Sequence, residues 1–261
     1  MSADDPNNMP APAWTSSDLK ANPHDVDDKA GRVQRMFDSI AGRYDLNNRL
    51  HSLGRDQVWR RRTAKAAVTG PNDRILDVAC GTGDLSEALA DQCPASVHGI
   101  DFSRGMLDVA IAKAGSRSRT SGAPVPTYSQ GNAMELDLPD DSFEACTIAF
   151  GIRNVVDPTA AFAEFYRVLA PGGRCLILEF SEPRNAVLRS MSNIYNRRIM
   201  PLTATMISGD RSGAYKYLPR SMETFLSPNQ LAEQIRSVGF TIQTQRPMTF
   251  GICTLSIAQK S

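Results

Sequence analysis

The stretch Arg74-Ile75-Leu76-Asp77-Val78-Ala79-Cys80-Gly81-Thr82-Gly83-Asp84 constrains the fold of this chain more than any other. Residues 74–78 are apolar, partly β-branched and too few for a helix, and they read as a short buried strand. Gly81 and Gly83 then mark a tight turn. Asp84, with Leu85-Ser86-Glu87-Ala88-Leu89 behind it, opens a helix with an N-cap residue and an acidic first turn. Strand, glycine turn and helix in that order build a nucleotide-type site. The missing Cβ atoms let the backbone approach a ligand, and the helix N-terminus offers unpaired N–H groups.

The turn does not suit a dinucleotide. Such a site wants a third glycine, in G-x-G-x-x-G, for close packing of helix on strand. Here Gly81-Thr82-Gly83 runs on into Asp84-Leu85-Ser86. Asp84 puts a carboxylate where a pyrophosphate would sit, and Asp77 adds a second negative charge within the strand. Acidic groups favour a cationic ligand such as S-adenosylmethionine. Asp101 lies eighteen residues after Gly83, at the end of a second strand Val97-His98-Gly99-Ile100. That spacing suits an acid that takes ribose hydroxyls, because a carboxylate can accept both hydrogen bonds of a vicinal diol. The simpler role for Asp101 is to cap the helix that starts near Ser103. The whole string resembles the first motif of the Rossmann-like methyltransferases, with Ala79 where many members carry glycine.

The rest of the chain repeats the alternation. A helix is expected over residues 103–114, from Met106, Leu107, Ala110 and Ile111, then a Gly/Ser loop over 115–123. A strand over 125–129 leads to Gly131-Asn132-Ala133, where a loop can meet an adenine. A strand over 145–150 ends in Gly151-Ile152-Arg153-Asn154, and a helix over 159–169 follows. The strand over 174–180 is near-continuously apolar, as a parallel strand buried on both faces should be. Ser227-Pro228 opens a last helix, and strands over 240–245 and 253–258 can pair antiparallel. Strands joined by helical crossovers specify an α/β sheet.

Two segments fall outside this rhythm. Residues 1–30, rich in Pro, Asn and Asp, are expected to be a disordered acidic tail, leaving 31–261 as the globular domain. Within 31–70, Val33, Met36, Phe37 and Ile40 predict a helix closed by Ala41-Gly42, and residues 57–68 a second one. Both are expected to cover the mouth of the site. Residues 183–225 are basic and Met-rich, with no plausible strand. They read as a helical insertion over the site, an apolar wall for a greasy substrate.

Composition removes several classes of function. No run of eighteen apolar residues is present, so no spanning helix is expected. No signal-peptide pattern opens the chain. The five cysteines are scattered in apolar runs, as buried thiols of a reducing compartment. The three histidines share no ligand spacing, so no metal is expected. These features point to the cytoplasm. Charge is uneven: residues 32–65 carry eight arginines and one lysine against three aspartates. Residues 184–220 carry six arginines and one lysine against Asp210. Nucleic acid and anionic membranes both attract such segments. The interleaved aromatic and glycine pattern of an RNA-binding sheet is missing, so no nucleic acid is expected.

Longer motifs narrow the reading. They are Tyr44-Asp45 with Asn48, Ser52 and Trp59; Leu76-Asp77 through Gly81-Thr82-Gly83-Asp84-Leu85; Gly131-Asn132-Ala133; Phe150-Gly151-Ile152-Arg153-Asn154-Val155; and Arg167 through Gly173 and on to Ser181. Over residues 33–260 the chain resembles the ubiquinone/menaquinone biosynthesis C-methyltransferases. It departs from them at Asn47, His51, Asp56 and Ala149. The resemblance implies a Rossmann-like class I α/β fold with a mostly parallel seven-stranded sheet. It implies S-adenosylmethionine as methyl donor, held at Asp77, Gly81, Thr82, Gly83, Asp101, Asn132 and Ala133.

The implied reaction is C-methylation of a prenylated quinol, demethylmenaquinol to menaquinol, with the equivalent ubiquinone step as the alternative. Another small-molecule methyltransferase, or a cofactor-binding scaffold without turnover, stays open beside it. Loss of the ring hydroxyl's proton would feed charge to the ring carbon for in-line attack, with alignment supplying ~7–11 kcal/mol. No histidine stands in a motif, so Arg153, Tyr44 and Asn154 are the catalytic candidates. Arg153 would stabilise phenolate charge, Tyr44 relay the proton and Asn154 orient the hydroxyl. The alternative for Arg153 is a structural ion pair with Asp45 or Asp157. A lipid-tailed substrate also makes transient contact of the basic segments with the inner face of the cell membrane an expectation. A homodimer stays open.

Overall fold

In the computed structural model the described residues are 12–15, 17–117, 122–210 and 212–261. The apolar run at 74–78 is the middle of the sheet. This strand, β1 (Arg74–Val78), pairs in parallel with β2 (Ser96–Asp101) on one side and β4 (Phe143–Ala149) on the other. With β3 (Thr127–Gln130), β5 (Leu169–Phe180), β6 (Thr241–Met248) and β7 (Cys253–Gln259) the sheet has seven strands, in the order β3-β2-β1-β4-β5-β7-β6. Only β7 runs antiparallel to its neighbours, β5 and β6.

Neighbouring residues of a strand face opposite sides of a sheet, and the core divides accordingly. Leu76, Val78, Ile148 and Ile177 pack with Phe162 and Phe165 on one side. Ile75, Ala145, Leu176 and Leu178 pack with Trp59 and Leu89 on the other. Both faces are covered, so the sheet can expose function only along its edges and at its strand ends.

The helices between the strands are α3 (Asp84–Ala90), α4 (Arg104–Ser116), α5 (Pro158–Val168) and α9 (Pro228–Ser237). Their starts are written locally. The Ser103 hydroxyl accepts from the Met106 N–H, Asp157 accepts from Thr159 and Ala160, and Ser227 with Gln230 forms a capping box. In α3 the cap is Gly83, not Asp84. Gly83 holds the left-handed conformation that ends the turn (φ 81°), which leaves Asp84 as the first helical residue. Part of the loop expected over 115–123, residues 118–121, lies outside the described residues.

Before the sheet come α1 (Lys29–His51) and α2 (Arg55–Ala67). The helix end expected at Ala41-Gly42 is absent: α1 runs through Gly42 for 23 residues. A glycine inside a helix costs about 1 kcal/mol. Burial of Met36, Ile40, Ala41 and Asn47 on either side of it outweighs that cost. The expected disordered tail also differs. Residues 1–11 lie outside the described residues, but Trp14 is buried and stacks on Tyr217 with ring centroids 4.3 Å apart. The Trp14 backbone N–H donates to the Ser212 carbonyl at 3.0 Å. One large aromatic surface, rather than any periodic pattern, docks this segment.

Between β5 and β6 stand α6 (Ala186–Ile194), a π turn (Tyr195–Ile199), α7 (Met200–Ser208) and α8 (Ala214–Thr224). Met200 and Ala204 of α7, with Tyr215, Tyr217 and Leu218 of α8, share a buried cluster with Met36 and Ile40 of α1. The polar departures noted above have partners here. Asn47 donates to the Tyr215 hydroxyl at 2.7 Å, His51 Nδ1 bonds the Tyr195 hydroxyl at 2.7 Å, and Asp56 accepts from Ser52 at 2.7 Å.

Candidate active site

A cleft enclosing about 890 Å³, counting space open to solvent, lies at the carboxyl ends of β1 to β4. Strand order reverses at β1, and open α/β sheets bind ligands outside the carboxyl ends at such a switch point. Its floor is Val78, Ala79 and Gly81 after β1, Asp101 to Ser103 after β2, Gly131 to Ala133 after β3, and Ala149 to Gly151 after β4. Its roof is Ala30, Val33, Gln34, Phe37 and Tyr44 of α1.

Six of the residues singled out in the sequence meet there: Gly81, Asp101, Asn132, Ala133, Tyr44 and Asn154. The carboxylate of Asp101 ties the floor together. Oδ2 accepts from the Gly81 N–H at 2.7 Å and Oδ1 from the Ser103 N–H at 2.8 Å. Burial pushes its pKa up to about 6. Asp101 thus performs the bland role and remains available for another, since each oxygen has a second lone pair. Gly81 is left-handed (φ 57°), and a Cβ there would meet no protein atom within 4 Å. The space beside it is open. Asn132 lines the cleft, and its Oδ1 accepts from the Met134 N–H at 3.1 Å.

The other four candidate residues, Asp77, Thr82, Gly83 and Arg153, do not line this cleft. Asp77 is buried, accepting from Ser86 at 2.6 Å and Thr147 at 2.8 Å, and burial pushes its carboxyl up to about 6. It joins β1, β4 and α3 under the turn. The Thr82 hydroxyl donates to Asp45 of α1 at 2.5 Å, so it faces the roof helix rather than the cleft. Gly83 makes room for Tyr128: a Cβ there would come 2.5 Å from the tyrosine hydroxyl. Its lack of a side chain makes room for that ring and allows its positive φ.

Arg153 is the fourth. It is buried, and its Nη1 donates to Glu179 at 2.8 Å and to the Phe150 carbonyl at 2.6 Å. The pair is with Glu179, neither Asp45 nor Asp157. The guanidinium is held by that carboxylate and lies 5.3 Å from the Phe180 ring centre. Arg153 fixes the peptide of Phe150, a left-handed non-glycine residue (φ 60°) at the turn from β4 into the cleft. Beside it, Asn154 accepts from the Tyr217 hydroxyl at 3.1 Å. The Tyr44 ring packs edge-on against Phe37 at 5.8 Å, with its hydroxyl making no bond within the described residues.

Sequence reasoning missed the groups that hold α1 in place. Lys113 pairs with Asp45 at 2.8 Å and with Asp84, joining α4 to the roof and to the glycine turn. Burial alone would raise the Asp84 carboxyl, but the charges of Lys113 and Arg60 outweigh it and hold it below the usual range. Lys29 is buried and donates to the Val155 carbonyl at 2.7 Å, and burial lowers its ammonium to about 8. No local pattern marks these three contacts, which link residues far apart in the chain. Among the described residues no cluster of His, Cys, Asp and Glu is arranged to hold a metal.

The strand order, the antiparallel last pair and the cleft at the strand ends define a Rossmann-like class I methyltransferase fold. A SAM-dependent methyltransferase from Thermotoga maritima shares it, with a TM-score of 0.60 over 88% of this chain and 100% of that one, at 16% identity. Sequence carries the relationship further. The chain belongs to the ubiE/COQ5 methyltransferase family, whose model matches residues 25–260. It is 42% identical over 237 residues to the demethylmenaquinone methyltransferase of Deinococcus radiodurans, covering 90% of this chain and 95% of that one. The ubiquinone/menaquinone biosynthesis C-methyltransferase UbiE of Geobacter sulfurreducens is 41% identical over 93% of this chain and 94% of its own.

Proposed function

We propose that this protein takes S-adenosylmethionine in the cleft and methylates a ring carbon of a prenylated quinol, converting demethylmenaquinol to menaquinol. Asp101 beside Gly81 is the observation that carries the reading, an acid with spare lone pairs next to space a Cβ would occupy. The residues fit the cofactor: Asp101 would accept from its ribose hydroxyls, Asn132 and Ala133 would border its adenine, and Gly81 would leave room for its methionine portion. Bound there, it supplies an electrophilic methyl group on a sulfonium.

The chain's part is to hold the quinol and move its proton. Tyr44, with a hydroxyl free at the roof, would relay the ring hydroxyl's proton to solvent. Asn154, fixed by Tyr217, would orient that hydroxyl. Arg153 and Glu179 form a nearly neutral buried pair, so their role is positioning: they set the Phe150 peptide and, through it, Asn154. As the ring carbon takes the methyl, the sulfur–methyl bond breaks with its electron pair staying on sulfur. The proton on that carbon is then lost to water and the ring oxygen regains one, restoring the aromatic quinol. Apolar Phe37, Met106, Met134 and Val156 in the lining keep water away from that charge. A tail-bearing quinol lives in a bilayer, so the enzyme works at the cytoplasmic face of the membrane, as a peripheral protein.

The test is product analysis with labelled methyl donor and a naphthoquinol or benzoquinol acceptor. Label on a ring carbon of the naphthoquinol supports the reading. Transfer only to benzoquinol moves the substrate to the ubiquinone step, and label on oxygen rejects C-methylation.

A further inference from the structure

Residues 186–208 form one helical rod. α6, the π turn and α7 follow each other with Ile194, Tyr195, Ile199 and Met200 all in right-handed helical conformation. No residue of α6 or of the π turn is buried. Yet the rod carries Val187, Met191, Ile194, Ile199, Leu202 and Met206, between 48% and 83% exposed. Their spacing along the chain is four, three, five, three and four residues. Steps of three and four keep side chains on one face of an α-helix. A step of five would not, but the π turn closes its hydrogen bonds at five residues. It spans Tyr195–Ile199, where the step of five occurs, and so keeps the apolar stripe continuous.

The adjoining face carries Arg189, Arg197 and Arg198. Arg197 pairs with Glu223 at 2.6 Å. Arg189 and Arg198 face no carboxylate among the described residues, and residues 186–208 contain no acid. An isologous contact with a second copy would bring these arginines against each other. An anionic bilayer complements both features, receiving the apolar stripe among its acyl chains and the arginines at its phosphates.

We propose that residues 186–208 are the element that seats this protein in the surface of an anionic lipid bilayer, apolar stripe inward. This rests on the reading above, in which the acceptor's tail lies in the bilayer. It adds that contact is by apolar insertion and not by charge alone. The rod also connects to the cleft: α7 packs on α1, whose Tyr44 and Phe37 form the roof. Seating the rod therefore brings the roof helix to the lipid.

The test is co-sedimentation with vesicles of phosphatidylcholine, with and without phosphatidylglycerol. Wild type should bind the mixed vesicles. Leu202→Glu with Met206→Glu, at positions 69% and 83% exposed, should bind about a hundredfold more weakly with an unchanged unfolding midpoint. Arg189→Ala with Arg198→Ala should lose about thirtyfold at low salt. Failure of wild type to bind, or equal binding by the folded Leu202/Met206 variant, overturns the proposal. So does a finding that this variant turns a dimer into a monomer without changing vesicle binding. Methyl transfer by wild type to a short-chain water-soluble quinol, without vesicles, reports on the reaction separately, so the two readings fail independently.

Discussion

In the wall of the cleft, several buried polar groups bond partners inside the chain. Asp101 takes the amides of Gly81 and Ser103, Asp77 takes Ser86 and Thr147, Thr82 takes Asp45, and Arg153 takes Glu179. Along residues 186–208 the chain leaves side chains unmatched: six large apolar groups face outward and two arginines have no acid. The first arrangement fixes a small number of groups in position, which is what transfer between two small molecules requires. The second gives a surface whose favourable state lies outside the chain. Stability and function should therefore separate. Disturbing the cleft's wall should unfold the protein as well as slow it, whereas changes along the rod should leave folding alone.

The sharpest break of that contrast is Arg153→Ala. It strands the Glu179 carboxylate, 5% exposed at its side chain, without a counter-charge, and removes the donor to Phe150. Denaturant unfolding should show a loss of about 3–5 kcal/mol. Arg153→Met combined with Glu179→Leu should recover most of it, since two apolar groups leave no buried charge. Methyl transfer in the double variant should stay slow, because the Phe150 turn that aligns Asn154 is still unsupported. A double variant as active as wild type would make the pair purely structural. At the small end stands Ala79→Gly. Ala79 is left-handed (φ 51°), a conformation that glycine adopts without strain. Relief of that conformation, less the extra freedom of the unfolded glycine chain, should stabilise by about 0.5–1 kcal/mol. A melting curve decides it.

How much of this was legible in the sequence depends on the range of each interaction. β1 could be read to the residue, because burial on both faces and the glycine turn are written within eleven consecutive positions. Asp101, Asn132 and Ala133 followed from strand ends, since the fold brings every carboxyl end to one edge. Thr82 and Gly83 stand outside the cleft lining for one reason: a turn at a strand end also faces the helices behind it. Nothing local distinguishes a hydroxyl aimed at Asp45 from one aimed at a cofactor. Arg153 pairs across 26 residues with Glu179, and Asp157 in the next turn was the more visible partner. Trp14 went unread because one aromatic has no period. The helix end placed at Gly42 failed where burial on both sides overrode local propensity.

The central claim is that Asp101 holds the cofactor's ribose, and titration of S-adenosylmethionine against pH tests it. Burial sets the free carboxyl at about 6. A diol donates to the ionised form, so binding favours the carboxylate. Above that value the free protein is already ionised and affinity should be flat. Below it a proton must leave on binding, and affinity should fall by up to about tenfold per pH unit. Calorimetry should also show folded Asp101→Ala weaker than wild type by about 1.5–3 kcal/mol at neutral pH, with this slope reduced. A folded Asp101→Ala protein that binds S-adenosylmethionine as tightly as wild type across the same range would contradict the account.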